Sequence, residues 1–229
     1  MGIMQILDSI PFALDAASLT ERMCLTPGTE DARELEAMIG KATETAKPKA
    51  AFRECFIEQK REDTVTVDGV TFTSRTLFRN LQDAERVFPF VVTCGREVDR
   101  VVYAKEDFLK AYWWEEIKSD LLKIAADHLT SVLTSKFGLG KSAAMSPGSG
   151  DIDIWPIEQQ QPLFSLLGDV DDAIGVQLSD SFLMSPIKSL SGIRFATEVD
   201  FRTCQLCRRN NCPARSAPFD PALWEDCRS

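Results

Sequence analysis

The sequence predicts an α+β fold, a single domain in which a twisted antiparallel sheet packs against long helices. Three observations carry this. Helical and strand-like periodicities come in blocks along the chain, helices then strands then helices then strands, rather than alternating as in a parallel sheet. The run TVTVDGVTF, Thr64 to Phe72, is a β-hairpin: alternating β-branched residues flank Asp68-Gly69, a dipeptide suited to a type I′ turn. The remaining strand-like runs, near 49–60, 87–93 and 182–196, are each too few to make separate sheets.

Residues 1–29 read as a helical lead-in closed by Pro27-Gly28. Thr29 then caps a helix over 30–46, with Glu30, Asp31 and Glu34 at its positive end and Leu35, Met38, Ile39 and Ala42 on one face. A strand covers 49–60 and the hairpin follows. Ser74 caps a short helix over 77–84. The next strand, 87–93, contains Pro89, which predicts an edge or a bulge. Helices are expected over 96–107 and 110–137, the second ended by Gly138 and Gly140. Residues 141–154 read as a loop. Pro156 suits the first position of a helix that stops at Gly168. Strands over 182–185 and 189–196 complete the domain, 30–200, and a cysteine-rich tail fills 201–229.

At 229 residues, with 44% hydrophobic and 27% charged residues, the chain can bury a core without disulfides. Its 26 basic and 35 acidic residues give a net charge of −9, which argues against nucleic acid as a partner. No apolar run approaches the ~20 residues of a membrane span. The N-terminus lacks a basic leader and a cleavage site, so a cytoplasmic location without membrane attachment is expected.

The stretch from Ser146 to Ala196 holds SPGSGD, PLFSLLG, IGVQLSDSFLMSP and KSLSGI. Together these segments resemble the activation (reactivation) domain of cobalamin-dependent methionine synthase, and its free-standing bacterial form more closely. PKAAFRE, TSRTLFRNL and TCGREVDR add to the likeness, as does a closing C-x2-C-x4-C-x2-R. It spans most of the chain from about Glu30 onward. The resemblance implies a single α+β unit that binds S-adenosylmethionine at a loop reading roughly Arg-x-x-Pro-Gly-Tyr. It implies contacts from Ser146, Pro147, Gly148 and Ser149, and from Asp127 as the acidic residue of the long helix. Pro147 and Gly148 match, but Ala144 stands at the arginine position and Ser149 at the tyrosine position. A lost charge-assisted contact of about 1.5–3 kcal/mol weakens binding roughly tenfold to hundredfold. Lys141 is a candidate substitute without the bidentate fork.

Cys204, Cys207 and Cys212 have chelating spacing, and Cys227 is a candidate fourth ligand for zinc or an iron–sulfur cluster. His128 is the single histidine and sits on an apolar stripe, which gives a histidine-based triad or metal site no support. Tyr112, Trp113 and Trp114 form an aromatic block at the start of the long helix, read as core, with a cover for a corrin ring or a partner as the alternative.

The reading that follows is a reactivation component for a corrinoid methyltransferase of the methionine synthase type. Such a protein presents S-adenosylmethionine to cobalamin carried by a corrinoid-binding partner, while an electron-donor protein supplies the reductant. Two alternatives stand beside it. One is a non-catalytic corrinoid-protein-binding module that has lost S-adenosylmethionine. The other is a small redox protein built on the cysteine tail.

Overall fold

The computed structural model describes residues 2–104, 106–151, 153–212 and 215–228. It is an α+β fold in which an antiparallel sheet packs against helices on both faces.

The lead-in holds β1 (Gln5–Leu7) and α1 (Ala16–Arg22), not helix alone. β1 pairs antiparallel with β2, and Ile10 and Leu19 enter the core. The next helix, α2 (Glu30–Thr45), starts as its sequence dictates: the Thr29 hydroxyl accepts the Ala32 amide, and Leu35, Met38, Ile39 and Ala42 are buried.

The strand expected over 49–60 is two pieces, β2 (Lys49–Phe52) and β3 (Cys55–Arg61). β4 (Thr64–Val67) and β5 (Val70–Thr73) form the hairpin, with Asp68 and Gly69 both at positive φ, as a type I′ turn requires. Ser74 caps α3 (Arg75–Asn80). β6 (Arg86–Thr93) is the central strand, with β2 and β3 on one side and β10 on the other.

Pro89 therefore sits in the middle of the sheet and not at an edge. Its carbonyl accepts the Arg53 amide, and in an extended strand a residue's N–H and C=O leave by the same side. The donor that proline lacks falls opposite the gap between β2 and β3. One residue thus explains both the interruption and the survival of the register, since Phe52 faces Phe90 and Cys55 faces Val87.

The helix expected over 96–107 is short, α4 (Arg96–Asp99), and Lys105 lies outside the described residues. α5 (Phe108–Phe137) runs 30 residues and ends at Gly138 in the left-handed region. Trp113 and Trp114 are buried as core, and the Trp114 indole donates to the Val98 carbonyl at 3.0 Å. His128 is half-buried.

The loop expected over 141–154 contains a strand, β7 (Ser142–Met145), on the outer edge of β10. Its Ser-Ala-Ala-Met sequence carries no β-branched residue, so propensity gives no sign of it. Pro156 precedes a 3-10 turn over Ile157–Gln159, which leads into α6 (Gln160–Leu167). After α7 (Val170–Ile174), β8 (Gln177–Leu178) and β9 (Met184–Ser185) pair with each other as a separate ribbon. β10 (Ser189–Ala196) returns to the main sheet, and α8 (Pro221–Arg228) ends the chain.

Alternation on β6 divides the core. Phe88, Phe90 and Val92 pack with Ala125, Leu129 and Leu133 of α5. Val87 and Val91 pack with residues of α3, α6 and α7 on the other face.

Candidate functional site

β7 carries the Pro-Gly turn at its end. The Ser149 amide donates to the Ser146 carbonyl at 3.1 Å, and Gly148 has φ 77°, which makes Ser146–Ser149 a type II turn with proline and glycine at its two central positions. The Gly148 amide donates to the Trp155 carbonyl at 2.8 Å and ties the turn to the following segment. Pro147 is buried, Ser146 is half-buried, and Gly148 and Ser149 are exposed.

The β7–β10 register decides what lies beside this turn. Ala144 faces Arg194, and Met145 faces Ile193. Arg194 also faces Phe88 across β6, so Arg194 and Ala144 lie on the face covered by α5. Gly192 lies two residues before Arg194 on that face. A side chain there would run into the Met145 carbonyl and the Ser146 hydroxyl, so glycine lets β7 approach.

Asp127 is an exposed residue of α5, and its charge reaches Arg194. Burial lowers the Arg194 pKa from its ordinary value, and the Asp127 carboxylate opposes the shift. The guanidinium donates from Nη1 to the Ser142 hydroxyl at 3.2 Å. Its Nε is buried without a partner, and among the described residues Arg194 has no ion pair within 4.0 Å. The fold thus sets Arg194 opposite Ala144, with its guanidinium at Ser142 and within reach of the Asp127 charge.

No protein-family description matches this sequence, and no curated protein does. A solved structure described as the MetH reactivation domain bound to AdoHcy superposes with a TM-score of 0.57 and 16% identity, covering 87% of this chain and 80% of that one. The chain has the reactivation-domain fold.

In this example of the reactivation-domain fold, the cysteine tail packs against the segment that follows the turn. Asp151 accepts the Arg208 backbone amide at 3.2 Å, the Trp224 indole N–H at 3.2 Å and the Arg208 guanidinium. Arg208 also stacks over the Trp224 ring, 4.6 Å from its centroid. Burial works against the Asp151 carboxylate, but the Arg208 contacts and the Trp224 hydrogen bond prevail and lower its pKa.

Arg215 organises the C-x2-C-x4-C segment. Its guanidinium donates to the carbonyls of Cys204, Cys207, Arg209 and Ala217. The Cys204 sulfur accepts from the Ser216 hydroxyl and amide. Burial alone would raise the Cys204 pKa, yet these hydrogen bonds and the Arg215 charge bring it below its ordinary value. Cys227 is buried in the core shared with α3, beside Thr76, and burial raises its pKa. Cys55 and Cys94 are buried further, and desolvation pushes both to about 12.

Among the described residues, no three His, Cys, Asp or Glu side chains converge as a metal site. The spacing of Cys204, Cys207, Cys212 and Cys227 invites a four-thiolate centre, but this arrangement does not assemble one. Arginine and serine hydrogen bonds hold the segment in this arrangement. Likewise, no helix among the described residues is long and apolar enough to cross a membrane.

Sequence reading missed Arg194. It lies in SGIRFA, whose apolar alternation speaks only for a strand, and its cross-strand partner Ala144 falls in a stretch that reads as loop. An arginine on a strand whose same-face neighbours are Gly192 and Ala196 was the available signal.

Proposed function

We propose that this chain is a reactivation component for a corrinoid-dependent methyltransferase, presenting S-adenosylmethionine to the oxidised corrinoid of a partner protein. One observation carries the reading. The Pro147-Gly148 turn stands at the end of edge strand β7, which pairs with the strand that carries Arg194, in a fold also seen in a reactivation domain solved with AdoHcy. Ser146, Pro147, Gly148 and Ser149 supply backbone and small side chains against the ligand, and Asp127 supplies an acceptor for its ammonium group.

The reaction balances with one electron from a donor protein. The partner's cobalt takes that electron and the methyl group of the sulfonium, and the sulfonium becomes the thioether of S-adenosylhomocysteine. This chain positions the donor and shields it from water, and the corrin chemistry belongs to the partner.

The test combines the chain with a methionine-synthase-type corrinoid protein in its Co(II) state, S-adenosylmethionine and a one-electron reductant. The expected result is the methyl-corrinoid absorption spectrum, with one S-adenosylhomocysteine formed per corrinoid. Neither product forming would overturn the reading. Ser149 is exposed and puts no aromatic ring at the turn, which favours a second reading as a corrinoid-protein-binding module without a methyl donor. Co-elution with the corrinoid protein and no product would select it.

A further inference from the structure

We propose that Arg194 anchors the carboxylate of the ligand's amino-acid end, working from β10 in place of a cation on β7. The inference rests on the proposed S-adenosylmethionine site and adds a residue to it. A guanidinium partly removed from water is stabilised by an anion or a full set of acceptors. Arg194 is half-buried, and among the described residues it has one hydrogen bond to Ser142, a buried Nε without a partner, and no carboxylate within 4.0 Å.

The fully buried cations among the described residues have ion pairs, which Arg194 lacks. Lys118 holds Asp99 and Glu115, while Arg53 has the Leu166 carbonyl and Asp68, although its Nε, like that of Arg194, is buried without a partner. Arg194 instead faces Ala144, whose side chain is a single methyl group and brings no charge to the guanidinium. Asp127, across on α5, interacts with Arg194 through its charge and stays exposed. A cation and an anion held apart in this way suit a zwitterion: carboxylate toward Arg194, ammonium toward Asp127. A guanidinium can bind a carboxylate through two parallel hydrogen bonds, which a lysine cannot do.

Calorimetric titration of the full chain tests this with two ligands. S-adenosylhomocysteine carries the amino-acid end, and 5′-methylthioadenosine lacks it. Wild type is expected to prefer the first. Arg194→Met should weaken S-adenosylhomocysteine roughly tenfold to hundredfold, the loss typical of a charge-assisted contact, and leave methylthioadenosine unchanged. Arg194→Lys should recover part of the difference. The double variant Ala144→Arg with Arg194→Met, which moves the guanidinium across the strand pair, should recover most of it. Unfolding midpoints of all variants confirm that they fold.

An Arg194→Met protein that binds S-adenosylhomocysteine as wild type does would overturn the anchor and leave the proposed function standing. Equal weakening of both ligands, without recovery in the double variant, would make Arg194 structural and also overturn it. Wild type binding neither ligand would remove the anchor and the site together.

Discussion

Gly192 is the residue on which the geometry of the turn depends. It has no room for a Cβ, because the Met145 carbonyl and the Ser146 hydroxyl occupy that space. Gly148 is constrained in a different way. Its φ of 77° disfavours any side chain, and a Cβ would lie 3.0–3.2 Å from the Ile157 side chain. Gly192→Ala is expected to cost about 1–3 kcal/mol, the range for overpacking a filled site, and to loosen β7. Gly148→Ala should cost about 1–3 kcal/mol through backbone strain. Denaturant unfolding measures both. Hydrogen exchange separates them, with β7 amides losing protection in the Gly192 variant. The glycines at 148 and 192 were readable as residues, but the clash that Gly192 avoids depends on a β7–β10 pairing that SAAM does not announce.

At the scale of elements, the tail and the segment after the turn form one unit through Asp151. The pKa of Asp151 is lowered in the folded chain. A depressed carboxylate contributes stability that is present above its unfolded pKa, about 3.9, and lost as pH falls through the lower folded value. The tail should therefore stay docked at neutral pH and through the ordinary aspartate range, and release only below it. Tryptophan fluorescence reports this through Trp224, whose indole donates to Asp151. Asp151→Asn should remove the acid transition and increase proteolysis of the tail at neutral pH. The sequence indicated an ordered tail and gave cysteine spacing as the reason. The structure gives Arg215 and Asp151, contacts between residues too far apart in sequence to form a motif.

Across the whole molecule, the helices before and after the hairpin share one sheet. β6 contacts both the N-terminal strands and β10, so neither half keeps its core without the other. Thermal unfolding is expected to be one cooperative transition, coincident in far-ultraviolet and near-ultraviolet circular dichroism, since Trp113, Trp114 and Trp155 are buried in different core clusters. A strong chelator should leave the midpoint unchanged if the Arg215 and Ser216 hydrogen bonds alone order the cysteine segment. Two separated transitions would mean that the clusters fold independently. Stoichiometric zinc or iron in anaerobically purified protein, with a midpoint lowered by chelation, would mean that the cysteines rearrange around a metal.

The sequence by itself determined the local features: the α2 cap at Thr29, the type I′ hairpin at Asp68-Gly69, the α5 stop at Gly138, and the Pro147-Gly148 turn. Each depends on φ preferences or side-chain hydrogen bonds within a few residues, so its cause is written in adjacent letters. Tertiary structure decided where Pro89 could sit, that SAAM becomes an edge strand, and that Arg194 lies opposite Ala144. Those outcomes depend on strand register between segments far apart in the chain. Register is set by which faces the whole core buries, and no local pattern contains that choice.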